Sequence, residues 1–283
     1  DIIWRNYGTT GVEAGKTYIW TMDGPVPTST VALPFDVLNP NWVVEGTGDF
    51  NDDGMADIVW RNYDTTGPEA GKVYIWLMNR TTPVATVALP FAVTNPLWRI
   101  DGIGDFNGDC ELDILWRNYE STGPEAGLVV IWTMDGTTPT STVALPIRVT
   151  DPKWVIEGVA DYTGDDQPEI LWHYYGTTGP QVGQVVFWTM NGTTPTSTVV
   201  MANNVFDTSW AIETCGDYNK DGLTDIVWRN YTTGTNLIWF NIDTVAVAQQ
   251  TFLTVTAAQW NVEDIVVEGA GQPLDLRRRF PIV

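Results

Sequence analysis

Apolar runs six to nine residues long alternate along the chain with clusters of Gly, Pro, Asn, Asp and Thr, without a helical period of useful length. Between residues 42 and 89 the runs are Trp42 to Phe50, Asp57 to Tyr63, Lys72 to Met78 and Val84 to Leu89. They are rich in Val, Ile, Trp and Tyr, and short β-prone runs bounded by turn residues read as strands. Four of them in close succession predict one small antiparallel sheet.

That sheet is written five times. Trp4, Trp60, Trp116, Trp172 and Trp228 keep a spacing of 56 residues. Trp20, Trp76, Trp132 and Trp188 keep the same period until Trp239 comes early, and Trp42, Trp98, Trp154 and Trp210 do so until Trp260. A fixed period of this size signals units that bury apolar surface against their neighbours. Five four-stranded units predict an all-β, five-bladed β-propeller of antiparallel blades, in which radial repetition leaves only short sheet edges. A linear β-solenoid is the alternative, although its turns are usually shorter than this repeat.

The two ends of the chain complete one unit. The chain begins at a second strand, Asp1-Ile2-Ile3-Trp4, and Trp260-Asn261-Val262-Glu263 matches the start of a first strand. The C-terminal strand is therefore expected to close the ring beside the N-terminal one. This gives a single propeller domain over 1–283, with blade one shared between the termini and a tail over 269–283.

Composition narrows the function. Hydrophobic residues make up 43% of the chain, and no stretch approaches the roughly 20 apolar residues a membrane span needs. The net charge of −21 argues against a nucleic-acid partner, and the one basic run, Arg277 to Arg279, lies in the tail. Cys110 and Cys215 occupy different repeat positions two units apart and read as free thiols. A single histidine, His173, excludes much of the usual zinc and acid–base chemistry, and the expectation is a non-enzymatic protein.

The segment between the first two strands of a unit carries the chemistry. Its four copies place side chains at alternate positions: Asp49, Asn51, Asp53, Met55 and Asp57; Asp105, Asn107, Asp109, Glu111 and Asp113; Asp161, Thr163, Asp165, Gln167 and Glu169; Asp217, Asn219, Asp221, Leu223 and Asp225. Oxygens at positions 1, 3, 5 and 9, a backbone carbonyl at 7 and a frequent glycine at 6 suit Ca²⁺, which takes six to eight oxygen ligands. The bland alternative is an Asx-rich turn with no metal. The copy in the third unit has Cys110 at position 6. The copy in the fourth unit has Thr163 and Glu169 with Pro168 alongside, which ranks it lowest. The C-terminal equivalents are Val267, Gly269 and Gly271, so two to four ions are expected and a fifth is not. These loops hold 15 of the 35 acidic residues, which repel one another unless a cation is bound.

The run Gly-Asp-Phe-Asn-x-Asp-Gly-x-x-Asp-Ile, followed by Val-Trp-Arg-Asn and an Ile-Trp-x-Met strand, resembles the VCBS or FG-GAP type repeats of bacterial surface and secreted proteins, akin to the propeller of integrin α subunits. The resemblance covers nearly the whole chain. It implies Ca²⁺ in the loop on one face of the disc, ligands taken on the opposite face, and a secreted or cell-surface location. Related propellers often have seven blades. This chain has material for five, as in the tachylectin-type lectins.

Two further patterns lie outside the loops. Folding the first hairpin with Asp49 opposite Asp57 pairs Glu45 with Arg61, Asp101 with Arg117, Glu157 with His173, Glu213 with Arg229 and, at closure, Glu263 with Arg5. It also sets Gly46 opposite Trp60, whose indole would then pack into the next blade. Cross-strand charge pairs of this kind are usually structural. The far face is built from Thr65 to Gly71, Pro90 to Pro96 and their copies. There Tyr63, Glu69, Tyr119, Glu125 and Tyr175 are candidate ligand-binding residues, able to stack on sugar rings and bind hydroxyls. The expected partner is an extracellular glycan held multivalently, with a surface protein as the alternative.

Overall fold

The computed structural model describes residues 2–23, 26–217, 221–241, 247–252 and 264–265. These form five four-stranded antiparallel sheets and contain no helix. Blade two, for example, runs Trp42–Gly48, Asp57–Asn62, Lys72–Asn79 and Thr82–Ala92, each strand paired with the next in sequence. The first strands of successive blades, Trp42–Gly48, Trp98–Gly104, Trp154–Ala160, Trp210–Gly216 and Asp264–Ile265, lie against one another around the axis. The chain is a five-bladed β-propeller.

Closure follows the expected route. Asp264–Ile265 pairs with Ile2–Arg5 through Ile2 opposite Ile265 and Ile3 opposite Asp264, and so supplies the innermost strand of blade one. The anticipated residues Trp260 to Glu263 and the tail lie outside the described residues.

Burial falls from axis to rim. The second strands of blades two to five are buried at every position, whereas the outer strands, such as Thr138–Ala144, alternate between exposed and half-buried. Outer edges invite pairing with another chain. Here Pro27, Pro83, Pro139 and Pro195 stand second in the edge strands and remove one donor each.

One face of each blade meets the preceding blade and the other meets the following one. Val44, Ile58 and Trp60 pack with Ile3, Ile19 and Leu33 of blade one, while Val59, Val73 and Ile75 pack with Ile100, Ile103 and Trp116 of blade three. Phe50, Phe106 and Tyr162, the second residues of the Asp loops, are fully buried within such interfaces.

The register of the first hairpin differs from the symmetric folding. A bulge lies between Val44 and Gly46, so Gly48 faces Asp57, Val44 faces Trp60 and Val43 faces Arg61. Glu45 is the bulged residue, outside the residue-for-residue register of the two strands. The same shift recurs at Asp101, Glu157 and Glu213. Arg117 therefore faces Arg99, His173 faces Val155 and Arg229 faces Ala211; the position of Glu263 lies outside the described residues. Trp60 accordingly packs toward blade one. Gly46 is bare for another reason: a Cβ there would come within 2.9 Å of the Ile103 side chain of the next blade.

Candidate functional site

The Asp loops all leave the inner strand at one rim of the disc. Those of blades two, three and four turn twice through the left-handed region, at positions 4 and 6: Asp52 and Gly54, Gly108 and Cys110, Gly164 and Asp166. One glycine serves each pair. The loops of blades three and four have it at position 4, and Cys110 and Asp166 hold φ of 71° and 62° at position 6, where a glycine was expected.

Position 1 organises the loop. Asp49 accepts backbone N–H bonds from Asp53 at 3.1 Å and Gly54 at 2.7 Å, Asp53 accepts from Met55 at 2.9 Å, and the Asn51 amide donates to Asp53 at 2.9 Å. Asp105 with Cys110, Asp161 with Asp166 and Asp217 with Gly222 repeat the central bond at 2.8–2.9 Å. At position 9 both oxygens of Asp57 face the blade and accept from Phe50 N at 3.1 Å and Met78 N at 2.8 Å; Asp113 does the same with Phe106 and Met134. Burial pushes each of these carboxyls up to about 6, against the pull of the same N–H bonds.

The loop of blade four, Asp161 to Glu169, is arranged differently. Glu169 is one methylene longer and accepts from Tyr162 N at 2.8 Å and Thr163 N at 3.2 Å. Its carboxyl reaches the loop centre, where Asp161, Asp165 and Glu169 bring oxygens within 4.8 Å of one another, the one such trio among the described residues. Two oxygens each about 2.4 Å from one Ca²⁺ can stand at most about 4.8 Å apart. The donor set fits a hard cation, and the loop ranked lowest on sequence has the closest carboxylates. Burial followed by Asp165 and Asp161 pushes Glu169 up to about 7.

At position 7 the side chains of Glu111 and Gln167 accept from Gly136 N and Gly192 N of their own outer hairpins at 3.0 and 3.4 Å, leaving the backbone carbonyl as the expected ligand. Asn219 lies outside the described residues. Cys110 is exposed and Cys215 buried, neither in a disulfide.

At the opposite rim the candidate tyrosines turn inward. The Tyr63 ring lies 4.2 Å from the Arg61 guanidinium, and Tyr119 sits equally close to Arg117 while its hydroxyl donates to Asp101 at 2.7 Å. Tyr175 meets His173 edge-on at 4.2 Å. Each cation is covered on its other side by a tryptophan of the next blade: Arg5 by Trp60, Arg61 by Trp116, Arg117 by Trp172, with His173 against Trp228. These tyrosine faces belong to an inter-blade belt rather than to an open platform.

Glu69 and Glu125 lie farther out, beside the third tryptophan series. Glu69 accepts from Tyr74 Oη at 2.8 Å and Lys72 Nζ at 3.0 Å, while Tyr74 stacks on Trp42 at 5.0 Å and 16°. Glu125 accepts from Trp98 Nε1 at 2.9 Å. The equivalent place in blade four holds Gln181 beside Trp154 and opens into a cavity of about 220 Å³. The sequence singled out the two glutamates; the grooves they belong to needed the stacking of residues 32 positions apart.

Residues 49–116 match the family model described as FG-GAP-like repeat. The molecule is a propeller by its fold, and residues 49–116, which hold the Asp49 and Asp105 loops, are similar to the FG-GAP-like repeat. No curated protein matches the chain. Among solved structures it is similar to a chain of the Tc holotoxin pore of Photorhabdus luminescens, with 16% identity and a TM-score of 0.49 over 84% of this chain and 11% of that one. It is also similar to the dihydro-heme d1 dehydrogenase NirN in complex with DHE, with 6% identity and a TM-score of 0.36 over 86% of this chain and 44% of that one. The chain therefore spans less than half of either.

Proposed function

We propose that this propeller is a calcium-holding, non-enzymatic binding module of the secreted or cell-surface kind, and that its ligand class is carbohydrate. The observation that carries the reading is the set of half-buried tryptophans, Trp42, Trp98 and Trp154, each beside Glu69, Glu125 or Gln181 on the rim opposite the Asp loops. An indole face beside a hydrogen-bonding group suits the apolar face and hydroxyls of a sugar ring; at Trp42 that face is taken by Tyr74, which leaves Trp98 and Trp154, and repetition on a rigid disc supplies avidity. The non-enzymatic reading is supported by His173, which is 1% exposed and enclosed by Tyr175 and Trp228. Asp161, Asp165 and Glu169, and by analogy the Asp49, Asp105 and Asp217 loops, would hold Ca²⁺, whose charge would offset the clustered carboxylates and fix the loops.

Glycan-array binding of the purified chain tests this. Binding to a defined glycan class is expected. A blank array, together with recovery of a single protein partner from extracellular material, overturns it. A protein-binding reading is favoured by exposed apolar residues of the linkers between blades, Phe35, Leu38, Ile147 and Phe206, and by Phe91 near the end of an outer strand, which are 41–67% exposed.

A further inference from the structure

The four grooves with a full far-face loop share one plan but are filled differently. In blade two Tyr74 lies flat on Trp42, and its hydroxyl donates to Glu69, itself paired with Lys72. Blade one keeps the same trio, Tyr18 donating to Glu13 at 2.5 Å with Lys16 at 3.6 Å from it. In blade three the tyrosine becomes Val130 and the lysine Leu128; Leu128 packs into the core, and Glu125 turns to the Trp98 indole.

Blade four makes the same tyrosine-to-valine change; Tyr174, where blades two and three have Asn62 and Asn118, lies against Trp154 at 5.1 Å and 52°, and a cavity remains between Trp154 and Val186. Val186 stands where Tyr74 stands in blade two, and Gln181 and Gln184 replace the Glu–Lys pair. The resulting cavity of about 220 Å³ is walled by Trp154, Trp172, Trp188 and Val186, with the two amides among its lining residues. Val200, 48% exposed where blades one to three have alanine, also lines it. Among the described residues neither side-chain amide has a hydrogen-bond partner. The volume lies below the roughly 300–1,000 Å³ of sites for drug-sized ligands, which limits the occupant to about one ring.

We propose that the blade-four groove between Trp154, Val186, Gln181 and Gln184 is a binding site for one neutral pyranose ring. This rests on the carbohydrate reading above and assigns it to one blade. Tyr74 is an internal picture of the occupant: a six-membered ring against the tryptophan face, its far hydroxyl bonded to the loop residue. Replacing Glu and Lys by two glutamines removes the charges and supplies groups that both donate and accept, which matches ring hydroxyls that do the same. A phenol offers one hydroxyl to two amides. A pyranose offers several.

The test titrates the purified chain with neutral monosaccharides and, separately, with p-cresol, following tryptophan fluorescence and ligand-observed NMR. One monosaccharide should bind weakly. The double variant Val186→Tyr with Gln181→Glu, which rebuilds the blade-two plug, should weaken that binding at least tenfold with the thermal midpoint retained. Gln184→Leu, the blade-three residue, should weaken it at least fivefold and serves if the double variant misfolds. Sugar binding unchanged in these variants overturns the site while leaving the carbohydrate reading intact. Binding of p-cresol but of no sugar overturns the pyranose assignment. Absence of sugar binding in both this titration and the glycan array overturns site and reading together.

Discussion

The guanidinium of Arg61 lies 4.9 Å from the ring centroid of Trp116 in the following blade. From there its Nη1 donates to Trp98 O, and its Nη2 donates to Val93 O at 3.1 Å and Asn95 O at 3.2 Å. Arg61 is fully buried, so one side chain bonds the linker and inner strand of blade three to blade two. Arg117 repeats this one blade on through Trp154, Val149 and Asp151.

Replacing Arg61 by alanine should cost about 3 kcal/mol, since it strips charge-assisted hydrogen bonds and a desolvated cation–π contact. Arg61→Lys should recover less than half, because an ammonium cannot span the separated carbonyls while stacking. Denaturant unfolding measures both. A loss below about 0.5 kcal/mol for alanine, the range of an ordinary surface substitution, would mean that the belt does not hold the blades together.

Gly71 marks where the far-face loop crosses the linker. It has φ 67°, and a Cβ would meet Val93 backbone atoms at 2.4 Å, next to the Val93 N–H bond to its own carbonyl. Gly71→Ala should destabilise by about 3 kcal/mol or more. Gly67 also has positive φ, 99°, but open space around it, so Gly67→Ala should cost only the backbone strain of about 1–2 kcal/mol. Thermal midpoints of the pair separate clash from strain, and equal losses would show that the crossing gives way.

Period and blade strands were legible because the tryptophans recur at fixed positions and the turns carry Gly, Pro and Asn. The hairpin register was not. Every interior position of Trp42–Gly48 is buried, so no alternation of apolar and polar residues betrays that Glu45 is bulged. The roles of Tyr63, Tyr119 and Tyr175 were hidden for a related reason, since each is set by an Arg or His two residues back together with a tryptophan 53 residues ahead. Loop composition, in turn, could not reveal that Glu169 reaches the loop centre while Asp57 turns into the blade.

Without calcium, stability should fall as pH rises from about 4.5 to 7.5. Asp57 and Asp113 titrate near 6 and Glu169 near 7 in the folded chain, above their unfolded values, so the folded state binds more protons across that window. The difference in bound protons, unfolded minus folded, is then negative, and stability declines with pH. Saturating calcium should flatten or reverse the slope because it favours the ionised forms. Midpoints measured from pH 4.5 to 7.5 with chelator and with calcium decide this, and coincident profiles would remove the link between these carboxyls and metal.

Calcium content should be two to four ions per chain after dialysis against calcium buffer. Asp53→Ala and Asp165→Ala should each remove one ion without unfolding the ring, since the blade interfaces are built from other residues. At a free concentration about 100 times Kd, each site contributes about 2.7 kcal/mol. Elemental analysis reads the count. Zero ions would leave the hydrogen-bonded Asx turns as the whole role of these loops.

Removing the closing strand should injure the whole molecule more than removing any one metal site. Ile2 and Ile3 pair with Ile265 and Asp264, and the strand carrying these partners also lies against Trp210–Gly216 of blade five. A chain ending at Ala258 therefore loses the inner strand of blade one and one of the contacts that join its ends. The second strand Ile2–Arg5 becomes an unprotected edge, with Trp4 tilted against Trp20 at 4.7 Å. Such edges recruit other chains. The truncated protein should unfold at a lower temperature and sediment as oligomers, and the metal-site variants should remain monomeric. A monomeric truncated chain with an unchanged midpoint would show that blade one holds without its C-terminal strand.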